Sequence, residues 1–356
     1  MSRIDTFLEL LVKQDGSDLH LVSGNPPRIR MHGDLIPVKY RELSAAETMT
    51  LVNEIMPEPV RAAFNERTSI DFAYAVDGLA RFRVNVYRHV GGVGAVLRLI
   101  PAVIKSMEDL KLPSVLAGFC QQKKGLVLCT GPTGSGKSTT LAALINYINT
   151  NRKSHILTIE DPIEFVHARK QSLISQREVG LDTRSFATAL RSAVREDPNV
   201  ILVGEMRDLE TISLAVTAAE TGILVLGTLH TTGASATVDR IVNVFPPGEQ
   251  GRVRSMLSTS LVGVVSQQLV RRADNKGRVA ALEILVNTPA IANILRDGKT
   301  EQIATAIQSG SLQGMQSMDT ALRRLLDAKQ VTGKDAFRKA IVKKDFEMYG
   351  ETEIAA

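Results

Sequence analysis

Tryptophan is missing from this 356-residue chain, and only 4% of its residues are aromatic. Proteins that hold single-stranded nucleic acid stack bases on rings, so the composition argues against nucleic acid as a partner. The charge balance adds little: lysine and arginine outnumber the acids by 43 to 38, a small excess spread over a long chain. Cysteine is scarce too. Cys120 and Cys129 form neither a disulfide framework nor a metal-ligand spacing and suit a reducing cytoplasm. No uninterrupted apolar run approaches the roughly 18 residues of a membrane span, and the start Met1-Ser2-Arg3-Ile4-Asp5 lacks the pattern of a signal peptide. The expectation is a cytoplasmic protein without direct membrane insertion that meets a membrane through a partner. Internal repeats and low-complexity segments are absent from the sequence.

What is present is enough for two domains, on a prior of roughly 150 residues each, with 44% hydrophobic residues to fill their cores. The first hundred residues read as a small α+β domain. Thr6 to Val12 is a helix candidate, and Asp18–Val22 and Arg28–Met31 read as strands around the Gly24-Asn25-Pro26-Pro27 turn. Ser44 and Glu47 form a capping box for a helix running toward Ile55, which Pro57 and Pro59 punctuate. From Leu79 to Val90 the pattern alternates, placing Phe82, Val84 and Val86 on one face and Arg81 and Arg83 on the other. Pro101 to Pro113 reads as a linker. Beyond it, apolar strands at Leu126–Thr130, Ile156–Ile159, Val200–Val203 and Ile223–Leu229 alternate with helical segments, the signature of an α/β domain with a largely parallel sheet. After Gly248 the pattern is mostly helical, with a single strand expected at Val279–Val286.

Gly131-Pro132-Thr133-Gly134-Ser135-Gly136-Lys137-Ser138 closes the first of those apolar strands and opens a helix. Its glycines let backbone N–H groups converge on phosphate oxygens at a helix N-terminus. Lys137 is the partner for the β/γ-phosphates, Ser138 the Mg²⁺ ligand, and Thr139 an assisting hydroxyl. ATP and Mg²⁺ are therefore the expected cofactors. Three further strand ends carry chemistry. Glu160-Asp161-Pro162-Ile163-Glu164 is an acidic cluster, in which Glu164 is either a catalytic carboxylate or an exposed acid. Val200–Val203 leads into Gly204-Glu205-Met206-Arg207-Asp208 like a Walker B strand, with Gly204 where many such strands carry a metal-linked aspartate. Glu205 then orients the metal's water shell or the nucleophile; the bland alternative is an acid favoured by a helix N-terminus. His230, in Gly227-Thr228-Leu229-His230-Thr231-Thr232, either senses the γ-phosphate or hydrogen-bonds an acid across the site.

In this order the four signatures resemble those of the secretion ATPase superfamily of type II secretion and type IV pili. The lead-in Leu190–Pro198 strengthens the likeness, and Ser17-Asp18-Leu19-His20-Leu21 and Gly314-Met315-Gln316-Ser317-Met318-Asp319 resemble its pilus-retraction branch. The resemblance implies an α/β fold in which a PAS-like N-terminal domain (1–104) and a linker and entry segment (105–124) precede a RecA-like ATPase domain with a helical C-terminal part (125–356). It also implies a homohexamer at the base of a pilus, peripheral to the inner membrane, working on a platform protein and in some systems beside a paralogous retraction ATPase. By this resemblance Glu164 and Glu205 are the catalytic carboxylates, His230 belongs to a histidine box, and Arg81 and Arg83 reach a neighbouring subunit's nucleotide, with Arg278 a further candidate there. Two positions depart from the pattern: Asn199 stands where an acid is usual, and Ala292 stands where the retraction motif carries an arginine, which leaves an accessory paralogue as an alternative. A RecA-like nucleic-acid translocase and a non-hydrolysing ring are the readings from other classes. An assembly ATPase would carry a tetracysteine motif and an additional N-terminal domain that this sequence lacks.

Overall fold

A computed structural model describes residues 2–31, 34–100 and 103–350. It divides into two compact units, Met1–Ile104 with Pro162–Val166, and Lys105–Asp161 with His167–Ala356. Pro101, where the expected linker begins, lies outside the described residues.

The first unit runs α1 (Arg3–Lys13), β1 (Asp18–Val22), β2 (Arg28–Met31), β3 (Asp34–Pro37), α2 (Ala45–Ile55), α3 (Glu58–Glu66), β4 (Ser69–Val76), β5 (Ala80–His89) and β6 (Gly92–Ile100). The strands form an antiparallel sheet in the order β3-β2-β1-β6-β5-β4. Alternation decides its faces. Leu19, Leu21, Phe82, Val84, Val86 and Leu97 are fully buried against Ile4, Leu8 and Leu11 of α1, Val52 of α2 and Phe64 of α3. The capping box expected at Ser44 is present: its hydroxyl accepts from Glu47 N–H at 3.3 Å, and the Glu47 carboxylate accepts from Ser44 N–H at 3.0 Å. Such a cap stabilises a helix start by about 1 kcal/mol.

The second unit contains α4 (Val115–Gln121), β7 (Gly125–Thr130), α5 (Lys137–Asn151), β8 (His155–Glu160), β9 (Leu173–Glu178), α6 (Phe186–Ala193), β10 (Val200–Val203), α7 (Leu209–Thr221), β11 (Leu224–Leu229), α8 (Ala234–Asn243), α9 (Pro247–Ser260), β12 (Leu261–Arg271), β13 (Arg278–Val286), α10 (Pro289–Asp297), α11 (Ile303–Ser309), α12 (Met318–Asp327) and α13 (Gly333–Lys339). Its sheet has the order β13-β12-β7-β11-β10-β8-β9 and is parallel except for β13. Both faces are covered, as parallel sheets require. Leu126, Leu128, Ile201 and Val203 face the core shared with α6 to α11, whereas Val127, Cys129, Val200 and Leu202 face α4 and α5.

One expectation is overturned here. The stretch after Gly248 holds two strands, and β12 pairs with β7 beside the nucleotide loop. Its polar centre, Ser266-Gln267-Gln268, breaks the apolar run by which a buried strand is recognised. Ser266 and Gln267 are nevertheless buried, because their side chains are spent on hydrogen bonds to neighbouring loops.

Candidate nucleotide site

The site forms where β7, β11 and β10 end side by side, since ligands of parallel sheets bind at the carboxyl ends of strands. Leu229 pairs with Thr130 and Val203 with Gly227. Gly131 N–H donates to Leu229 O at 3.3 Å and Met206 N–H to Thr228 O at 3.0 Å, so the three loops leave the sheet already tied together.

The loop from Gly131 to Ser138 owes its path to glycine. Gly131, Gly134 and Gly136 have φ of 141°, 76° and 88°. A Cβ on Gly131 would lie 2.3 Å from Gln267 O, and one on Gly136 would lie 2.7 Å from Gln267 Nε2. Gln267 is a residue that sequence reasoning missed. Its Nε2 donates to Ser135 O at 2.7 Å while its Oε1 accepts from Thr140 Oγ1 at 2.7 Å, clamping the loop to the first turn of α5. Lys137 is 9% exposed, and its Nζ donates to Gly131 O at 2.7 Å and Pro132 O at 3.1 Å. A cation is thus held inside the loop, at a helix N-terminus that no side chain caps. Pro132, Thr133 and Gly134 form its exposed rim, and Ser138 and Thr139 are half-buried behind it. Among the described residues, the buried Ser135 Oγ has no hydrogen-bond partner. An uncapped helix N-terminus, a buried ammonium and an unsatisfied hydroxyl fit a polyphosphate.

Replacing Gly131 by alanine forces both strain and collision. A φ this far into glycine's territory costs about 1–3 kcal/mol for another residue, and the approach to Gln267 O adds to that. The variant should melt at a lower temperature and bind ATP more weakly. An unchanged melting temperature together with unchanged affinity would contradict the loop geometry.

Glu205 follows β10, and its carboxylate pairs with the Arg207 guanidinium and with His230 Nε2, the latter at 2.9 Å. His230 therefore meets an acid across the site, one of the two roles considered for it. Burial works to raise the Glu205 pKa, but the hydrogen bond from Arg207 and the charges of Arg207 and His230 outweigh it and hold the carboxyl below its ordinary value. The helix-terminus alternative fails: Asp208 is the N-cap of α7, accepting from Thr211 N–H at 2.8 Å. Gly204 is explained by space, because a Cβ there would stand 3.1 Å from Ile159 O and 3.2 Å from Glu160 Cα. At the other end of the same strands, Asn199 Oδ1 accepts from His155 N–H at 2.8 Å while Asn199 N–H donates to His155 O at 2.9 Å. That position asks for an acceptor to a backbone N–H, a task that needs no negative charge.

The structure thus brings Lys137, Ser138, Glu205 and His230 to adjacent strand ends of one sheet. Arg81, Arg83 and Glu164 belong to the first unit. There Arg83 lies 3.7 Å from Asp71 and 3.9 Å from Glu164, while Phe82, Val84 and Val86 turn into the core. Arg278 is exposed at the start of the outer strand β13, opposite Arg271. Ala292 is half-buried on α10.

Known proteins are similar to this chain along most of its length. A twitching motility protein of Neisseria gonorrhoeae is 53% identical over 314 residues, covering 88% of this chain and 84% of that one. The type IV pilus retraction ATPase PilT of Pseudomonas aeruginosa is 50% identical over 343 residues, covering 96% and 99%. The crystal structure of a pilus retraction motor, PilT, with bound ADP superposes with a TM-score of 0.90 at 43% identity, over 98% of this chain and 99% of that one. The family model for type II/IV secretion system proteins matches residues 2–344, and with these relatives it establishes that the chain belongs to the type II/IV secretion system protein family.

Proposed function

We propose that this ATPase is the motor of type IV pilus retraction, working as a homohexameric ring at the inner membrane and acting on the pilus platform protein. The observation that carries the chemistry is the juxtaposition of the Lys137 loop with the Glu205–His230 pair on neighbouring strand ends. Lys137 and the loop N–H groups bind the phosphates of ATP. Glu205, oriented by His230, aligns the attacking water, and Glu164 is the second carboxylate of the reaction. Ser138 is the hydroxyl that would hold Mg²⁺, with Glu205 directed at its water shell; bound Mg²⁺ supplies charge neutralisation at the phosphate oxygens. The 50% identity with a PilT, over 96% of this chain, supports retraction as the output and a principal rather than an accessory role. Deleting the gene and imaging single pili tests this: fibres that extend and no longer retract are expected, and normal retraction would overturn the assignment.

A ring also explains the arginines. Arg81 and Arg83 are two apart on β5 and share a face, and neighbouring cations become favourable when an anion lies between them. In this reading they reach the nucleotide of the adjacent subunit, with Arg278 an additional basic group there. Mixing Arg81→Ala/Arg83→Ala subunits with Lys137→Ala subunits should restore part of the ATPase activity that each lacks alone. Mixed rings that stay inactive, or an arginine variant that is fully active by itself, would refute action in trans.

A further inference from the structure

Glu283 of β13 is 8% exposed and makes no ion pair among the described residues. Burial pushes its carboxyl above the ordinary range, against the effect of two backbone N–H groups that donate to it. Those groups come from different helices. Ala234 N–H, at the first position of α8, donates to Glu283 Oε1 at 2.8 Å, and Met318 N–H, at the first position of α12, donates to the same carboxylate. The N-cap of α8 is Gly233, which offers no side chain, so the acceptor that the helix start requires is supplied from the sheet. Two positive helix ends directed at one buried group are the reason for a carboxylate there.

Between His230 and Ala234 lie only Thr231, Thr232 and Gly233, and hydrogen bonds hold this short loop at Thr231 and Gly233. Gly233 N–H donates to Ser266 Oγ at 2.9 Å, Thr237 Oγ1 donates to Gly233 O at 2.7 Å, and the Thr231 and Thr237 hydroxyls are 2.8 Å apart. On the far side, Asp319, next to Met318, accepts from the N–H groups of Ile341 and Val342 at 2.8 and 2.9 Å. We propose that Glu283 is a positioning residue of the ATPase: by holding the starts of α8 and α12 together it sets His230 against Glu205 and ties that pair to the C-terminal helices. The inference rests on the reading of Glu205 and His230 as hydrolytic groups.

Steady-state ATPase kinetics on the full chain test it with three single variants and one double. Glu283→Gln leaves one acceptor oxygen where two N–H groups converge. Displacement of His230 should lower kcat about tenfold or more, the scale of small misplacements in an active site, while KM for ATP stays within about twofold because the Lys137 loop is untouched. Ala234→Pro removes the donor instead. Proline is tolerated at a first helical position, and Gly233 at φ 91° and ψ 151° already has the extended ψ that a following proline demands. This variant should reproduce the kcat loss even where Glu283→Gln fails to fold. His230→Ala combined with Glu283→Gln should be no slower than His230→Ala alone, since both changes disable one unit. A fully active His230→Ala would sink the reading of the histidine. An impaired His230→Ala with unimpaired Ala234→Pro, or with losses that multiply in the double variant, would overturn the role of Glu283 specifically.

Discussion

Lys137→Ala is expected to abolish ATP binding and turnover together, with a loss of at least about a hundredfold, the scale seen when a single group that stabilises developing charge is removed. The reason is where the ammonium sits. At 9% exposure, and donating to Gly131 O and Pro132 O, it is a charge the protein holds in place before any phosphate arrives. Two carbonyl oxygens share it, and phosphate oxygens compete for it on better terms, since an anion is a stronger acceptor than an amide. Alanine removes the charge and also strips those carbonyls of a buried donor, which costs about 1–3 kcal/mol where water cannot take over. Part of any loss could therefore be stability. Thermal melting without nucleotide measures that part, and nucleotide titration by fluorescence measures the rest. A variant that folds, binds ATP and turns it over near the wild-type rate would remove the loop from the nucleotide site.

The loop was legible in the sequence because its requirements are local: glycines where φ is positive, a lysine, and a hydroxyl at a helix start. Walker-type strands such as Val200–Val203 were legible for a related reason, being continuous apolar runs that end in an acid. What could not be read was any partner distant along the chain. Gln267 and Ser266 of β12 and Glu283 of β13 each serve a loop or helix start far from them along the chain, and the polar side chains that make β12 useful disguise it as something other than a buried strand. In the first unit β1 and β2 match their expected spans, whereas the edge strand β4 has no counterpart among the expected strands, although Ile70, Phe72, Tyr74 and Val76 face the core and alternate with Ser69, Asp71, Ala73 and Ala75. For His230 the residues leave two roles open, sensing the γ-phosphate or hydrogen-bonding an acid, and only the 2.9 Å approach to Glu205 reveals the second.

Glu205→Gln should spare ATP binding and slow turnover by about a hundredfold or more, as when a base or a water-orienting carboxylate is lost. The amide keeps the shape of the side chain, and Lys137 and the loop N–H groups are unchanged, so nucleotide affinity should hold within a few fold. What disappears is the negative charge between Arg207 and His230. Because that charge is held on the acid side of the ordinary value of 4.5 in spite of burial, Glu205 is ionised throughout the neutral range. The sign for stability follows: its favourable contribution is present above the unfolded pKa and is lost as pH falls through the lower folded one. Wild-type protein should thus lose stability on acidification below about 4.5 through this group, and the glutamine variant should lack that component. Glu164→Gln separates the two carboxylates. If it hydrolyses ATP normally while Glu205→Gln does not, Glu205 acts alone and Glu164 is a half-buried acid that only pairs with Arg83. If Glu205→Gln binds and hydrolyses ATP at wild-type rates, the pair with His230 is only structural and the catalytic carboxylate lies elsewhere.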